Sequence, residues 1–250
     1  MSFFNLLSRV VAAKLNANGK VTMSKNRTTT PLNLTQDALV KMDGPDLALA
    51  QVDGSIIPNV AEEQRVIAVG KQTFFGLAVY HSYLSDGKSF IRTITKGPEV
   101  VEVTLFSLRD EIIPNTHEDW EFWLGRYQKD SSNEFVRDTK TGKAIIAEYG
   151  LIGWPSFQID GPPQIIYNRN WQPSAQGIEP ISYREELNTG LDGGVSCIKH
   201  ESMEYTRSIG KDNAEHLLVS VSQIENEASI NIFVGINLNP TDIKVLTSQE

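Results

Sequence analysis

Histidines, paired acidic residues and one cysteine are the residue types in this 250-residue chain that could support catalysis or metal binding. The histidines are His81, His117, His200 and His216. None belongs to a His-x-x-x-His or His-Glu-x-x-His pattern, so no zinc motif is present. His200 and His216 each have a glutamate beside them in the sequence, but adjacent residues on a strand face opposite sides of a sheet. We interpret His200 and His216 as partly exposed strand residues, and for His81, in the aromatic run YHSY, a place in the lining of a pocket is the alternative.

The acidic pairs, such as Glu185-Glu186, could do acid–base chemistry if burial separated their pKa values. We interpret them instead as solvated surface pairs. Cys197 lies in the apolar segment VSCIK and is expected to be a buried, unreactive thiol. No Gly-x-Ser-x-Gly elbow and no glycine-rich phosphate loop occurs. The sequence therefore predicts no catalytic residue, no metal site and no cofactor, and it favours a protein that is not an enzyme.

Net charge is distributed very unevenly along the chain. The total is −8, with 40% hydrophobic and 22% charged residues, which indicates an ordinary soluble chain and argues against a nucleic-acid partner. Residues 1–30 contain five basic and no acidic side chains, which leaves a net charge of −13 for the other 220 residues. A single cysteine excludes an intramolecular disulfide and indicates a reducing compartment, so we expect a cytoplasmic protein.

Residues 1–15 show the spacing of an amphipathic helix, with apolar positions three and four apart. The segment is too short and too interrupted to be a membrane span, and it lacks the basic start of a signal peptide. Three roles stay open: docking on its own domain, binding to a partner, or lying on an anionic membrane surface. The predicted contact residues for the last two roles are Phe3, Phe4, Leu7, Val10, Val11, Arg9 and Lys14.

Beyond this helix, residues 16–35 are predicted to be a polar linker, residues 36–238 a β-rich domain, and residues 239–250 a polar tail. Runs rich in β-branched and aromatic residues alternate with turn signals too close together for crossover helices, which favours antiparallel strands. One internal helix is predicted in THEDWEFWLG, with Thr116 as N-cap, Asp119 completing a capping box, and Gly125 as the stop. Trp120 and Trp123 are expected to pack this helix on the sheet. The predicted fold class is α+β: β-dominated, mostly antiparallel sheets with one short packing helix and an N-terminal amphipathic helix.

Several segments in chain order carry a family resemblance: RVIAVGKQ, VEVTLFSL, WEFWLG, LIGWPSFQIDG, EPISYREEL, HLLVSVSQ and ASINIFVGINL. Together they resemble the YjfK-like family of uncharacterised bacterial proteins, a domain of unknown function, over about residues 60–238. The most specific pieces are WLG, IGxPxFxxDG and VGINL, and none is a catalytic signature. In the family the helix ending in WLG runs almost directly into the IGxP segment, whereas residues 126–149 intervene here.

The resemblance implies a cellular setting and no reaction. Genes of this family commonly lie beside a gene for a phage-shock-protein-A-like membrane-remodelling protein and beside an ATP-grasp enzyme similar to glutathionylspermidine synthase. The leading hypothesis is a cytosolic accessory or adaptor protein of an envelope-stress or membrane-maintenance system, with a phage-shock-protein-A-like partner and contact with the inner membrane through the N-terminal helix. The alternative is an enzyme or small-ligand-binding protein of polyamine or peptide-conjugate metabolism. A third hypothesis is a subunit that self-associates through open sheet edges.

Overall fold

Fourteen strands and two short helices make up the regular structure of the residues that the computed structural model describes, which are 30–140, 142, 144–160, 163–169, 175–188, 195–211, 213–224 and 227–246. The helices are α1 (Asp46–Val52) and α2 (His117–Leu124). In chain order the strands are β1 (Leu39–Met42), β2 (Glu63–Phe74), β3 (Leu77–Leu84), β4 (Ser89–Lys96), β5 (Glu99–Ile112), β6 (Gly125–Tyr127), β7 (Ile146–Tyr149), β8 (Ser156–Ile159), β9 (Ile165–Arg169), β10 (Ile181–Asn188), β11 (Val195–Ile209), β12 (Asn213–Ile224), β13 (Glu227–Asn237) and β14 (Ile243–Leu246).

Eight of these strands close into an antiparallel barrel with the order β2-β3-β4-β5-β13-β12-β11-β10. Closure is made by β10, which pairs with β11 on one side and with β2 on the other, so that Leu187 lies opposite Gly70. The predicted α+β class is therefore wrong, because the sheet closes on itself and the described residues contain only two short helices. Periodicity shows which residues share a strand face, but it carries no information on a pairing between strands more than a hundred residues apart. The amphipathic helix predicted at residues 1–15 lies outside the described residues.

The barrel strands are apolar on both faces because both faces are covered. Inward-facing side chains from all eight strands form one cluster: Ala68, Tyr83, Phe90, Phe106, Leu187, Ile198, Leu218, Ile224 and Phe233. Outward-facing residues such as Ile91, Leu105 and Val219 form a larger cluster with elements outside the barrel. This outer layer contains Leu34 and Val40 from the start of the described chain. The double burial accounts for the apolar residues on both faces of the segment VVEVTLFSL in β5.

The elements outside the barrel come from both ends of the described chain and from its middle. Strand β1 pairs with β2 on one side and with β14 on the other, so part of the region that the sequence assigns to a polar tail lies in the sheet. The fully buried Glu215 attaches the segment after α1 to the barrel, since its carboxylate accepts hydrogen bonds from Ser55 and from the Ile56 backbone N–H (2.7 Å). The same carboxylate accepts from Tyr167 of β9 (2.5 Å) and Arg207 of β11 (2.6 Å).

Helix α2 forms as the sequence predicts. The Thr116 hydroxyl accepts from the Asp119 backbone N–H at 3.1 Å, the Asp119 carboxylate accepts from the Thr116 backbone N–H at 3.1 Å, and Gly125 ends the helix at φ +103°. Trp123 is buried and its ring stacks with Phe157 of β8 at 6.2 Å, which confirms that it packs the helix on the sheet. Neither α1 nor α2, the helices of the described residues, is long and apolar enough to span a membrane.

Residues 126–149 extend away from the barrel after α2, and the end of this segment returns to the C-terminal end of α2. Strands β6 and β7 pair at the base of this excursion, with Gly125 opposite Tyr149, and single bridges join Lys129 to Phe135 and Arg137 to Ala144 further out. This segment is therefore an irregular hairpin, which we call the insertion.

Candidate functional site

Inside the barrel, a carboxylate with no solvent exposure is held by three hydrogen-bond donors. Glu185 of β10 accepts from His81 Nδ1 at 3.1 Å through Oε1 and from His200 Nε2 at 2.8 Å through Oε2. The Tyr83 hydroxyl donates to both oxygens at 2.9 and 2.8 Å. The strands supply these groups by alternation: His81 and Tyr83 are two residues apart on β3, and both face inward. The donors replace the water that the buried charge loses.

Glycine makes the space for this carboxylate. A Cβ built on Gly70 of β2 would lie 1.4 Å from Glu185 Oε1, so only a residue without a side chain fits opposite it. Gly235 of β13 has the same role for an aromatic ring, since its Cβ would lie 2.5 Å from the ring of Phe106. These are the glycines of the RVIAVGKQ and VGINL segments. Their presence is therefore explained by side chains that cross the barrel interior.

A chain of hydroxyl groups continues from the Glu185 network toward β12. His200 Nδ1 lies 3.2 Å from Ser220 Oγ and 3.2 Å from Ser222 Oγ. Ser202 donates to Ser220 at 2.7 Å. The ring of Tyr183 stacks on His200, with centroids 4.7 Å apart. The polar half of the barrel is thus a connected network rather than a set of isolated polar residues.

A second ionic network lies beside the first. Arg92 of β4 donates to both oxygens of Glu204 at 2.6 and 3.0 Å, and it donates to Glu102 at 2.7 Å. His216 Nδ1 lies 2.8 Å from Glu204 Oε1. The Arg92 guanidinium also stacks over the ring of Phe106 at 4.8 Å, a cation–π contact that is favourable in a desolvated site.

These contacts keep both carboxylates ionised. Burial opposes ionisation of Glu185, but electrostatic attraction to His81 and hydrogen bonds from His200 and His81 outweigh it, and its pKa lies well below the ordinary value. Burial also opposes ionisation of Glu204, and there Arg92 and His216 outweigh it, so the pKa of that carboxyl is likewise well below its usual range. Burial raises the pKa of the Tyr83 hydroxyl, and the nearby charge of Glu185 raises it further. The barrel interior therefore holds fixed charges at neutral pH.

Both networks border a pocket of about 160 Å³ at one end of the barrel. Its apolar lining residues are Phe74, Val79, Ile94, Ile181 and Leu218, and its polar lining residues are Gln72, His81, Arg92, Tyr183, Ser202 and Glu204. Gln72 Oε1 and Arg92 Nε are buried and have no hydrogen-bond partner among the described residues. Unpaired buried polar atoms of this kind are costly, and they mark places where a ligand atom would be stabilised.

The structure corrects several of the predictions made for single residues. His200 and His216 are buried, at 6% and 7% exposure, so their interpretation as partly exposed residues is wrong, whereas the alternative that His81 lines a pocket is confirmed. Glu185 is buried although its neighbour Glu186 is exposed as predicted, because the two face opposite sides of β10. Cys197 is exposed, contrary to prediction, because alternation along β11 places it outward.

The residues predicted to contact a membrane or partner lie outside the described residues. They are Phe3, Phe4, Leu7, Val10, Val11, Arg9 and Lys14.

Two larger clefts lie beside α2: one of about 380 Å³ between α2, the insertion and strands β10 and β11, and one of about 480 Å³ between α2 and strands β10 to β13. Their walls are mainly outward-facing side chains, and the unpaired buried atoms Gln72 Oε1 and Arg92 Nε belong to the barrel-end pocket instead. No group of three or more His, Cys, Asp and Glu side chains within the described part of the chain is arranged to hold a metal ion. In the Glu185 network the ring nitrogens of His81 and His200 point at the carboxylate and not at a shared coordination point.

The fold and the site together define a closed eight-stranded antiparallel barrel with an ionic interior and a small pocket at one end. Residues 131–244 match the family model described as "Protein of unknown function (DUF2491)". The chain is therefore similar to an uncharacterised domain family, and the matched residues include Glu185, His200 and Glu204. Comparisons with curated proteins and with solved structures gave no match.

Proposed function

We propose that the barrel is a binding module that holds a small polar organic molecule in the pocket at its end. The observation that carries this proposal is the pair of unpartnered buried atoms, Gln72 Oε1 and Arg92 Nε, in a pocket whose other polar groups are already fixed by two ionic networks. Such a pocket is rigid before a ligand enters, which reduces the entropic cost of binding. Two of its lining residues thus carry one acceptor and one donor without a partner among the described residues.

Pocket size and lining restrict the ligand class. The volume of about 160 Å³ is close to that of an engineered cavity of about 150 Å³ that binds benzene. Phe74, Ile94 and Leu218 provide an apolar surface for a ring or a short hydrocarbon part. Because Glu204 is paired with Arg92, the pocket has no free carboxylate for a polycation. An uncharged amide-bearing or hydroxyl-bearing molecule is the chemical class that fits, and this pocket gives no support to the polyamine part of the alternative hypothesis.

Histidine gives the same pocket a capacity for proton transfer. His81 lines the pocket, and its Nδ1 faces Glu185, which fixes the orientation of the ring and leaves Nε2 as the free nitrogen. A histidine oriented by a buried carboxylate is a usual form of a general acid or base. The pocket supports ligand binding as the primary function. If a bound ligand reacts there, His81 is the residue that would transfer the proton.

Benzamide is a suitable probe because its ring and amide match the size and polarity of the pocket. We expect benzamide to stabilise the protein against thermal unfolding, by about 1.4 kcal/mol at a concentration ten times its dissociation constant. Replacing Gln72 by Leu removes the unpaired acceptor and should weaken binding about three- to tenfold, measured by calorimetric titration. Thr73→Val, on the outward face of the same strand, is the matched control and should leave binding unchanged. If Gln72→Leu binds benzamide as the original protein does, the pocket is not the binding site.

A second candidate function is the accessory role at the inner membrane that the YjfK-like resemblance implies, with a phage-shock-protein-A-like partner. Its support is the charge distribution of the sequence, with five basic and no acidic side chains in residues 1–30.

We expect the full-length chain to sediment with anionic vesicles, and Arg9→Glu with Lys14→Glu to weaken this by at least about thirtyfold, because two basic residues are removed and each contributes about 1 kcal/mol near the surface. The exposed pair Lys140→Glu with Lys211→Glu makes the same charge change elsewhere and should have little effect. Equal loss in both variants would contradict a specific role for the N-terminal segment.

A further inference from the structure

A second concave site lies outside the barrel, where aromatic side chains remain exposed next to helix α2. It is a cleft of about 230 Å³ between α2, the two ends of the insertion and the turn that follows. Phe122, Trp154 and Tyr149 line it, and they are 62%, 53% and 39% exposed. Phe122 contacts the buried Trp123 ring edge-on at 5.9 Å, and Tyr149 packs against Gly177, whereas no ring contact of Trp154 is found among the described residues. Exposed aromatic groups that share one concavity indicate a binding surface.

Acidic residues surround the same cleft. Glu118 and Glu121 of α2 and Glu148 of β7 line it, and Arg126 is the basic residue among the lining groups. Arg126 Nε lies 3.8 Å from Glu121 and its Nη1 lies 4.0 Å from Glu148, distances at which exposed ion pairs contribute little. His117 Nε2 also lies 3.3 Å from Glu121. With the histidine neutral, the lining carries a net charge of −2, which attracts a cation.

The backbone holds the two sides of this cleft together. Gly125, at the end of α2, and Gly150, after β7, approach so closely that a Cβ on Gly150 would lie 2.3 Å from both the Gly125 nitrogen and the Trp123 carbonyl oxygen. A Cβ on Gly125 would lie 2.4 Å from the Glu148 carbonyl oxygen. Glu148 and Tyr149 are therefore fixed beside α2. The aromatic and acidic groups meet in a preformed arrangement.

The aromatic faces are not occupied by cations of the described chain. The cation–π contacts found among the described residues involve Tyr80, Phe106, Phe135 and Tyr167, and all of these lie elsewhere. Arg126 lies beside the carboxylates, as described above, and none of these contacts involves it. The cleft therefore combines unoccupied aromatic surface with excess negative charge.

We infer that this cleft, which we call the aromatic–acidic cleft, binds an organic ammonium group through the Trp154 ring with Glu148 as counter-ion. Aromatic faces attract quaternary and alkyl ammonium ions by cation–π interaction, and carboxylates at the rim add a longer-range attraction. The volume of about 230 Å³ accommodates a trimethylammonium head or the end of a lysine side chain. An anionic ligand would face the net negative charge and is excluded by it. The site is separate from the barrel-end pocket and does not depend on the function proposed for it.

The test is a titration of the full-length protein with choline chloride at constant ionic strength, followed by the NMR signal of the Trp154 indole N–H, which is assigned by its loss in Trp154→Leu. We expect a saturable shift with a dissociation constant in the millimolar range, about 4 kcal/mol of binding free energy. Glu148→Gln should weaken choline binding about threefold, and the matched control Glu134→Gln, an exposed acid of the same insertion, should leave it unchanged.

Binding of choline to Trp154→Leu, measured by calorimetry, should be at least about tenfold weaker than binding to the original protein, whereas Phe135→Leu, which changes an exposed ring elsewhere in the insertion, should bind choline normally. A short peptide containing lysine is the second probe. Tighter binding of choline would identify a free ammonium compound as the ligand, and tighter binding of the peptide would identify a basic side chain. The inference is wrong if choline gives no more shift than sodium chloride, or if Glu148→Gln and Glu134→Gln bind it equally.

Discussion

Replacing Glu185 by Gln lowers the free energy of unfolding by about 3 to 5 kcal/mol, the range found when one partner of a buried ion pair is removed. Three donors, from His81, His200 and Tyr83, converge on this carboxylate inside the barrel. Glutamine keeps the size of the side chain, but it offers one oxygen in place of two and turns an NH₂ group toward a donor. At least one buried donor then loses its partner. Urea unfolding at pH 7, followed by circular dichroism, measures the change.

The matched control is Glu186→Gln, because Glu186 is the next residue of the same strand and is exposed. It changes the net charge equally and should alter stability by no more than about 0.5 kcal/mol. Similar losses in the two variants would show that Glu185 is not held as the structure describes.

The pH dependence of stability in the original protein and in Glu185→Gln distinguishes an effect of the Glu185 charge from an effect of packing. The pKa of Glu185 is lowered in the folded protein, so its contribution is fully present above the unfolded value of about 4.3 and is lost as pH falls toward the folded value. Below about pH 4 the unfolded chain binds a proton at this position that the folded protein does not bind. Stability of the original protein should therefore fall more steeply with acid than that of Glu185→Gln, by up to about 1.4 kcal/mol per pH unit.

The second large effect is expected at Gly70. Replacing it by Ala places a methyl group 1.4 Å from the present position of Glu185 Oε1, so the carboxylate must move away from its donors. We expect a loss of about 3 kcal/mol, near the upper end of the range for overpacking a core. In a background that already carries Glu185→Ala, the same replacement meets empty space and should have an effect below about 1 kcal/mol. A double-mutant cycle in urea measures the difference. Equal losses in the two backgrounds would mean that Gly70 matters for its backbone conformation alone.

Local signals in the sequence were sufficient to predict the elements whose structure depends on residues close together in the chain. The capping box of Thr116 and Asp119 sets the start of α2, and the turn signal after Ile159 separates β8 from β9. Both structures form from contacts within a few residues, which propensity and pattern can describe. The strand assignments succeeded for the same reason.

The barrel and its interior could not be predicted in this way. Alternation placed Tyr183, Glu185 and Leu187 on one face of a strand, but the inward direction of that face is decided by the pairing of β10 with β2. Because acidic residues are usually solvated, the sequence predicted an exposed side chain for Glu185, which is buried. One signal was present: Gly70 interrupts an otherwise β-branched strand, and glycine inside a strand indicates that another group approaches closely.

The insertion begins and ends on paired strands, with Gly125 opposite Tyr149. Its two ends are therefore separated by about the spacing of neighbouring strands, about 5 Å, which a short turn can bridge. Changes in the length of this segment need not propagate into the barrel. Ser131, exposed in the turn between the bridged residues Lys129 and Phe135, is thus a permissive point for grafting a fluorescent reporter or a whole guest domain while the barrel keeps its shape. Natural lengthening at the same point would let one scaffold acquire new external surfaces independently of what its interior holds.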